Sequence, residues 1–419
     1  MIRRRTVASL LAVGALGIGG IAAGCGDDDT GGGDVGELKV GVLVPLTGGL
    51  GPYGGPGAKA ADLAAAQVNA AAGDSGLKLT LIQEDTKSKA QPAQEAATKL
   101  IESDGVTAIA GPWGTDEVTA TAENVTVPAG VPIVSPSATQ PAITDLDDDG
   151  LVFRVPPSDA IQGRVLAQLV GREIGADATV ATGNRNDSYG TALVQEFTAA
   201  FEAAGGTVSK NVPYNPEAAS LNSEAQQLAS GNPDGWMVID YAADWAKMGP
   251  ALARTGNWDP AKTFTGDGLI SNSLPQETGR PATEGMRGTA PTSLDAPAGE
   301  PFDALWKSEV GEPRQTYDAQ NFDAVILIAL AAAAGGSSDS ASIAENLQEV
   351  SRGGTKYTFE TLSDAIAAAA AGEDIDYEGA SGPIDFDDAG DPTSANYSTW
   401  SYTDGKLTPT NEVIPATVE

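Results

Sequence analysis

The 419-residue sequence contains no histidine. Histidine is the commonest general base near neutral pH and the commonest metal ligand. The chain acting alone therefore cannot build a Ser–His–Asp or Cys–His catalytic arrangement, or a histidine-based zinc site. Lysine, glutamate and tyrosine chemistry stays open, but no catalytic base is evident. We therefore expect a protein that is not an enzyme and that needs no metal or other cofactor.

Basic residues are scarce as well. The chain carries 24 Lys and Arg residues against 57 Asp and Glu residues, a formal net charge of -33. An excess of negative charge repels nucleic acid, so we expect no nucleic-acid partner. It also keeps a protein soluble and favours a monomer. The apolar content of 41% and the length are enough for two large cores.

The single cysteine, Cys25, excludes a disulfide within the chain. Three arginines at positions 3–5 and an uncharged stretch over residues 6–23 precede it. Residues 1–25 resemble a bacterial lipoprotein signal peptide, in which the cysteine is lipidated and becomes the new N-terminus. A transmembrane anchor is the alternative, but the stretch is at the short limit for a span and poor in large apolar residues. Residues 26–36 are mostly Gly and Asp and predict a flexible tether.

Short apolar runs alternate with segments of helical spacing through most of the chain. A continuous apolar run such as LKVGVLVP is typical of a parallel strand buried on both faces. Strict β–α alternation predicts an α/β fold of doubly wound parallel sheets, in two layers of similar size. Residues 382–407 carry turn signals and predict a hairpin. The predicted strands of the two layers are residues 38–45, 77–84, 106–110, 131–134, 178–182, 207–214, 235–240 and 263–266.

The loop after the predicted strand 131–134 is rich in hydrogen-bond donors. Ser135, Ser137 and Thr139 offer hydroxyl groups, and the backbone around Ala138 offers N–H groups with little side chain in the way. In open α/β sheets, ligands bind just beyond the carboxyl ends of the strands. Bare N–H and O–H donors at such a place suit an anion such as a carboxylate. The alternative is an ordinary Ser/Pro turn.

Several motifs follow one another in a specific order and spacing. They are KVGVLVPLTG followed by Tyr53-Gly54, Glu84-Asp85, DGVTAIAGP, GVPIVSPSAT, FRVPPSD, NDSYG, GDG and SGPIDFDDAGD. Together they resemble the type I periplasmic solute-binding proteins of ABC importers, and within them the branched-chain amino-acid (Leu/Ile/Val) binding group. The resemblance covers nearly the whole chain after the leader.

The resemblance implies two α/β lobes joined by three crossovers, with a ligand in the cleft between them. Lobe I would comprise residues 37–155 plus 288–371, and lobe II residues 156–287 plus 372–419. The cleft would close on an amino acid by a hinge motion, and membrane permease subunits of an ABC importer would recognise the closed form. The lipid on Cys25 would hold the receptor at the outer face of the cell membrane, outside the cytoplasm.

An amino acid is a zwitterion, and burying either of its charges without a partner is costly. The resemblance places the ligand carboxylate against Thr115, the backbone around Ser137 and Ala138, and the Thr139 hydroxyl. It places the ammonium group against Asp267 of the GDG motif, on lobe II. Four tyrosines match aromatic positions that line the family's cleft: Tyr53, Tyr189, Tyr241 and Tyr317. Trp113 stands in the loop after the predicted strand 106–110, where we expect it to floor the pocket for an apolar or aromatic side chain; the alternative is a loop tryptophan that covers the edge of the lobe.

Two other functions stay open at this point. A ligand-sensing receptor, or an amide or urea binder, could have the same fold without serving import. A nucleotide-dependent α/β enzyme is the other possibility, because parallel α/β sheets also bind dinucleotides. The segment TGGLGPYGGPG after the first strand is rich in glycine but lacks the GxGxxG register that cradles a pyrophosphate.

Overall fold

The computed structural model describes residues 35–417. The predicted signal peptide, its Cys25 and residues 26–34 of the predicted tether lie outside the described residues. The strands are β1 (Glu37–Val44), β2 (Lys78–Asp85), β3 (Ala108–Ala110), β4 (Ile133–Ser135), β5 (Val152–Arg154), β6 (Thr179–Arg185), β7 (Thr207–Tyr214), β8 (Gly235–Ile239), β9 (Thr263–Thr265), β10 (Arg287–Pro291), β11 (Thr355–Tyr357), β12 (Ile375–Gly379), β13 (Gly382–Pro383), β14 (Ser394–Thr403) and β15 (Lys406–Thr417). The α-helices are α1 (Gly51–Ala71), α2 (Ala90–Lys99), α3 (Thr115–Thr121), α4 (Val127–Ala129), α5 (Asp159–Ile174), α6 (Ser188–Ala203), α7 (Asn222–Leu228), α8 (Ala242–Thr255), α9 (Leu274–Thr278), α10 (Gly299–Glu309), α11 (Asp318–Gly335), α12 (Ser340–Leu347) and α13 (Leu362–Ala370).

Two main sheets organise the chain. The first has five parallel strands in the order β2-β1-β3-β4-β5. The second has seven strands in the order β15-β14-β10-β9-β8-β6-β7, of which β6 to β10 run parallel. Strands β14 and β15 form an antiparallel hairpin that turns at Asp404-Gly405, as the turn signals predict. The predicted α/β class with parallel sheets is therefore confirmed.

Both sheets are covered by apolar packing on their two faces, which explains the near-continuous apolar runs of their strands. In the first sheet, Val42 packs into one core cluster and its neighbour Leu43 into another on the opposite face. In the second sheet, Val180 and Ala181 divide in the same way. Successive residues of a strand point to opposite faces, so both positions have to be apolar.

Helix α11 is the centre of the first core. Its residues 319–333 are each at most 7% exposed. The helix packs against α1, α12 and α13. Among the described helices it alone is long and apolar enough to cross a membrane by length and composition, but 89% of its residues are buried inside the protein. Burial on all sides is therefore enough to account for its apolar sequence.

The chain passes between the two sheets three times, as the two-lobe arrangement requires. It leaves the first sheet after β5, returns after β10 and leaves again before β14. We use lobe I for the first sheet, β11 to β13, and the helices α1 to α4 and α10 to α13. Lobe II denotes the second sheet with helices α5 to α9.

Two crossovers differ from the predicted boundaries. Strand β10 pairs with β9 and β14, so residues 288–291 belong to the second sheet and not to lobe I. Residues 375–386 pack into the lobe I core and not into lobe II. Residues 375–386 are held in lobe I by Asp323 of α11. Its carboxylate accepts hydrogen bonds from Tyr377 Oη at 2.8 Å and from the backbone N–H groups of Ala380 and Ser381 at 2.9 and 2.8 Å.

The starts of three helices position residues near the carboxyl ends of the strands. Helix α1 begins at Gly51, so Tyr53 lies in its first turn. Tyr189 likewise lies in the first turn of α6, whose N-cap Asp187 accepts a hydrogen bond from Gly190 N at 2.9 Å. Helix α5 is capped by Ser158, whose side chain accepts a hydrogen bond from Ala160 N.

Candidate functional site

A cavity lies where the carboxyl ends of strands from both sheets face each other. Segments that follow β1, β3 and β4 contribute residues from lobe I, and segments that follow β6, β8 and β9 contribute residues from lobe II, as expected for a parallel α/β sheet. The cavity has a volume of about 30 Å³. Its lining residues are Leu50, Tyr53, Trp113, Thr115, Ser137, Tyr189, Tyr241, Asp267, Gly268, Thr316 and Tyr317.

Asp267 is the acidic residue of this cavity, and it is 4% exposed. Its Oδ2 accepts a hydrogen bond from Tyr317 Oη at 2.7 Å, and its Oδ1 accepts one from Gln162 Nε2 at 2.8 Å. Tyr189 Oη lies 3.4 Å from Oδ1. Burial raises the pKa of the Asp267 carboxyl, and these three hydrogen bonds oppose that shift. Donors on both oxygens favour the carboxylate form, which can receive a cation.

The four residues predicted to hold the ligand carboxylate divide into two pairs. Thr115 and Ser137 line the cavity. Thr115 begins α3, whose N-cap Gly114 has no side chain to cover the first backbone N–H groups. The Ser137 hydroxyl donates its proton to the carbonyl oxygen of Trp113 at 2.7 Å. In this arrangement Ser137 Oγ can accept a further hydrogen bond but cannot donate one.

The other pair lies behind the cavity wall. The N–H group of Ala138 donates to Ser135 Oγ at 3.2 Å, inside the loop itself. Thr139 is 1% exposed, and its Oγ1 makes no hydrogen bond with any residue that the structure describes. Sequence reasoning could not separate the two pairs, because the internal hydrogen bonds of a five-residue loop depend on its backbone path.

The five aromatic residues predicted to line the cleft all border the cavity. Tyr189 and Tyr241 stack at 5.3 Å with an interplanar angle of 9°. Trp113 meets Tyr317 edge to face, at 6.4 Å and 86°. The indole of Trp113 also fills the space above Gly57, where an added Cβ would lie 2.3 Å from the ring. Trp113 therefore forms part of the lobe I core and part of the cavity wall.

Two residues of α5 stand close to the cavity and were not predicted as site residues. Gln162 links Asp267 to the carbonyl oxygen of Thr289, at 2.8 and 3.2 Å. Asp159, one turn earlier, donates its backbone N–H to the carbonyl oxygen of Thr139 at 2.7 Å. The signal was available in FRVPPSDAIQG, because a spacing of three residues puts both side chains on one helix face.

Asp159 and Asp267 are buried acids in contrasting surroundings. Both carboxyl oxygens of Asp159 lack a hydrogen-bond partner among the described residues, whereas Asp267 has three donors. Burial, and next the nearby charge of Asp267, raise the pKa of the Asp159 carboxyl well above its usual range. Of the two acids, Asp267 is therefore the one whose carboxylate form is stabilised by donors.

Charged residues surround the mouth of the cavity. Arg185 lies 3.6 Å above the Tyr241 ring and is paired with Asp187 and with Asp244, the latter at 2.8 Å. Lys89 of lobe I pairs with Glu217 of lobe II at 2.6 Å. In residues 35–417 no group of three or more acidic, cysteine or histidine side chains is placed to hold a metal ion.

Comparison with known proteins agrees with this geometry. A family model described as periplasmic binding protein matches residues 37–406. The chemotactic signal transduction system substrate-binding protein BasB of Halobacterium salinarum is 27% identical over 364 residues, covering 85% of each chain. The Leu/Ile/Val-binding protein homolog 1 of Brucella melitensis is 26% identical over 373 residues, which is 88% of this chain and 91% of that protein.

A solved structure gives the same fold. The branched-chain amino acid transporter substrate-binding protein LivJ of Streptococcus pneumoniae, in complex with isoleucine, superposes with a TM-score of 0.75 at 22% identity. The match covers 90% of this chain and 99% of that one. The predicted arrangement of two parallel-sheet lobes is thereby supported over nearly the whole described chain.

Proposed function

The chain belongs to the periplasmic binding protein family, and on that premise we propose that it captures an α-amino acid with a branched or other apolar side chain and delivers it to an ABC permease. Such proteins are binding proteins that act outside the cytoplasm. The relative from Brucella melitensis, named for Leu/Ile/Val, supports an apolar amino acid as the ligand.

The observation that carries the proposal is Asp267 in a cavity that has neutral donors on its other side. The ligand ammonium would pair with the Asp267 carboxylate on lobe II. The ligand carboxylate would meet Thr115 and the uncovered N–H groups at the start of α3 on lobe I. A ligand with both charges satisfies both sides, and one that lacks its ammonium leaves the buried Asp267 charge unpaired.

The remaining cavity wall suits an apolar side chain. Leu50, Trp113, Tyr189 and Tyr241 present carbon surface, and the charged groups stand at the mouth. Burial of a leucine-sized side chain against such a surface contributes roughly 1.5–3 kcal/mol. A charged or strongly polar side chain would have no partner there.

Contacts between the lobes support a closing mechanism. Tyr53 Oη of lobe I donates to the carbonyl oxygen of Gly268 at 2.9 Å, and Tyr317 Oη of lobe I donates to Asp267. Both bonds require the lobes to be together. A ligand that contacts both lobes binds the closed form more tightly than the open one and shifts the population toward it. Lipidation at Cys25, a monomeric state and the five aromatic residues that border the cavity belong to the same proposal.

Calorimetry with a matched pair of ligands tests this function. We expect purified protein to bind leucine, isoleucine or valine, and to bind the corresponding 2-oxo acid at least about 30-fold more weakly, because the oxo acid lacks the ammonium group. Equal affinity for the amino acid and its 2-oxo acid would contradict the proposed pairing of the ligand ammonium with Asp267. Tight binding of a dinucleotide in place of an amino acid would overturn the proposed class of ligand.

Sensing is a second candidate role for the same binding event. It is favoured by one observation, the similarity to a substrate-binding protein named for chemotactic signal transduction. Uptake of radiolabelled ligand into cells with and without the gene separates the roles. Lost uptake supports import, whereas unchanged uptake with lost taxis toward the same ligand supports sensing.

A further inference from the structure

A second cavity lies directly beyond the ligand cavity. Thr316 and Tyr317 line both of them, so these two residues form the wall between the cavities. The second cavity, which is open in part to solvent, has a volume of about 340 Å³, against about 30 Å³ in the first. Space for a longer ligand therefore exists on the far side of Thr316 and Tyr317.

The Tyr317 side chain is fixed in this wall from both ends. Its hydroxyl donates to Asp267 at 2.7 Å, and its ring stands edge to face against Trp113. Its backbone has a φ of 71°, in the left-handed region that favours glycine. A bulky residue in such a conformation is uncommon and is held only by its surroundings.

We propose that Tyr317 sets the upper limit on the length of the ligand side chain, and that the cavity beyond it is a subsite for the distal part of a longer apolar side chain. The inference rests on the proposed function, because it takes the amino-acid end of the ligand to be held by Asp267. Ile270, Pro291, Trp400 and Leu407 give the second cavity an apolar wall. The ligands that it would take are aryl or long alkyl α-amino acids.

The chain offers a matched pair of variants for the test. Tyr317→Gly removes the wall and suits the positive φ, so it should fold; its thermal unfolding is measured first. Tyr317→Phe keeps the wall and removes only the hydroxyl that contacts Asp267. Each protein is titrated by calorimetry with leucine and with 2-amino-4-phenylbutanoate, whose side chain is too long for the first cavity alone.

The readout is the ratio of the two affinities. In Tyr317→Gly the affinity for the longer ligand, divided by the affinity for leucine, should rise by at least about tenfold. One additional methylene buried in a hydrophobic pocket already changes affinity by about tenfold or more. In Tyr317→Phe both affinities should fall together and the ratio should stay that of the wild type. A further Thr292→Phe substitution in the Tyr317→Gly protein, which fills the second cavity, should reverse the gain.

Three other results would contradict, respectively, the role of Tyr317, the assignment of the second cavity and the proposed function. An unchanged ratio in folded Tyr317→Gly overturns the role of Tyr317 as the length limit. A gain that survives Thr292→Phe overturns the assignment of the second cavity. A wild-type protein that binds neither amino acid contradicts the proposed function itself, so the two failures are distinguishable.

Discussion

Tyr53 Oη donates a hydrogen bond of 2.9 Å to the carbonyl oxygen of Gly268, and the two residues are 215 positions apart in the chain. The bond joins the first helix of lobe I to the loop that carries Asp267. A side chain at Gly268 would collide with the neighbouring strand end, because an added Cβ would lie 2.6 Å from the carbonyl oxygen of Asp240. The closing of the cleft and the position of the acidic residue are therefore linked through one short loop.

Removal of this bond should loosen the closed form. In Tyr53→Phe the ring still packs, but Gly268 loses its donor, which should weaken ligand binding by about 0.5–1.5 kcal/mol. The change should appear mainly as faster ligand dissociation in stopped-flow fluorescence. Tyr357→Phe, on β11 and away from the cavity, is the control. Equal dissociation rates for both variants would show that the bond does not hold the cleft.

Asp159 and Asp267 should respond differently to the same substitution. An amide has the shape of a neutral carboxyl group, so Asp159→Asn should leave the ligand affinity within about threefold of the wild type. The raised pKa of Asp159 favours the neutral carboxyl group, which asparagine replaces without a change of charge. An affinity loss as large as that of Asp267→Asn would mean that Asp159 is charged when ligand binds.

Stability should increase as the pH falls from 8 to 5. Burial raises the pKa of Glu117 to about 7 from its ordinary value of 4.5. The folded state therefore binds this proton more tightly than the unfolded chain does. The resulting stabilisation is fully present below pH 4.5 and is lost as the pH rises through 7, a change on the order of 2–3 kcal/mol.

Urea unfolding at pH 5 and at pH 8 measures this effect. Glu117→Gln cannot titrate, so the difference in the free energy of unfolding between the two pH values should shrink. Glu123→Gln replaces an exposed glutamate on the same segment and should keep the wild-type difference. A Glu117→Gln protein with the same pH dependence as the wild type would contradict a raised pKa for this group.

The fold could be predicted from the sequence because its signals are local. Apolar runs such as residues 38–45 can be buried on both faces only in a covered parallel sheet. The starts of α1 and α6 are harder to predict, since Gly51, Pro52 and Gly190 indicate loops when the tertiary contacts are unknown. The crossover near residue 288 was misplaced because strand β10 is held in the second sheet by partners far away in sequence.

The candidate site was predicted in part. Strand-end positions and the family resemblance placed Thr115, Ser137 and Asp267 around one cavity. They could not show that Ala138 is bonded within its own loop, or that Gln162 supports Asp267. Hydrogen-bond partners of buried polar groups depend on side-chain directions, which periodicity does not determine.

The most direct measurement of the central claim is the affinity of Asp267→Asn for leucine and for its 2-oxo acid, by calorimetry. The account predicts that leucine binding weakens by roughly 2–5 kcal/mol, because one partner of a buried charge pair is removed. Binding of the 2-oxo acid, which has no ammonium group, should not weaken. Unchanged leucine affinity in a folded Asp267→Asn protein would contradict the account.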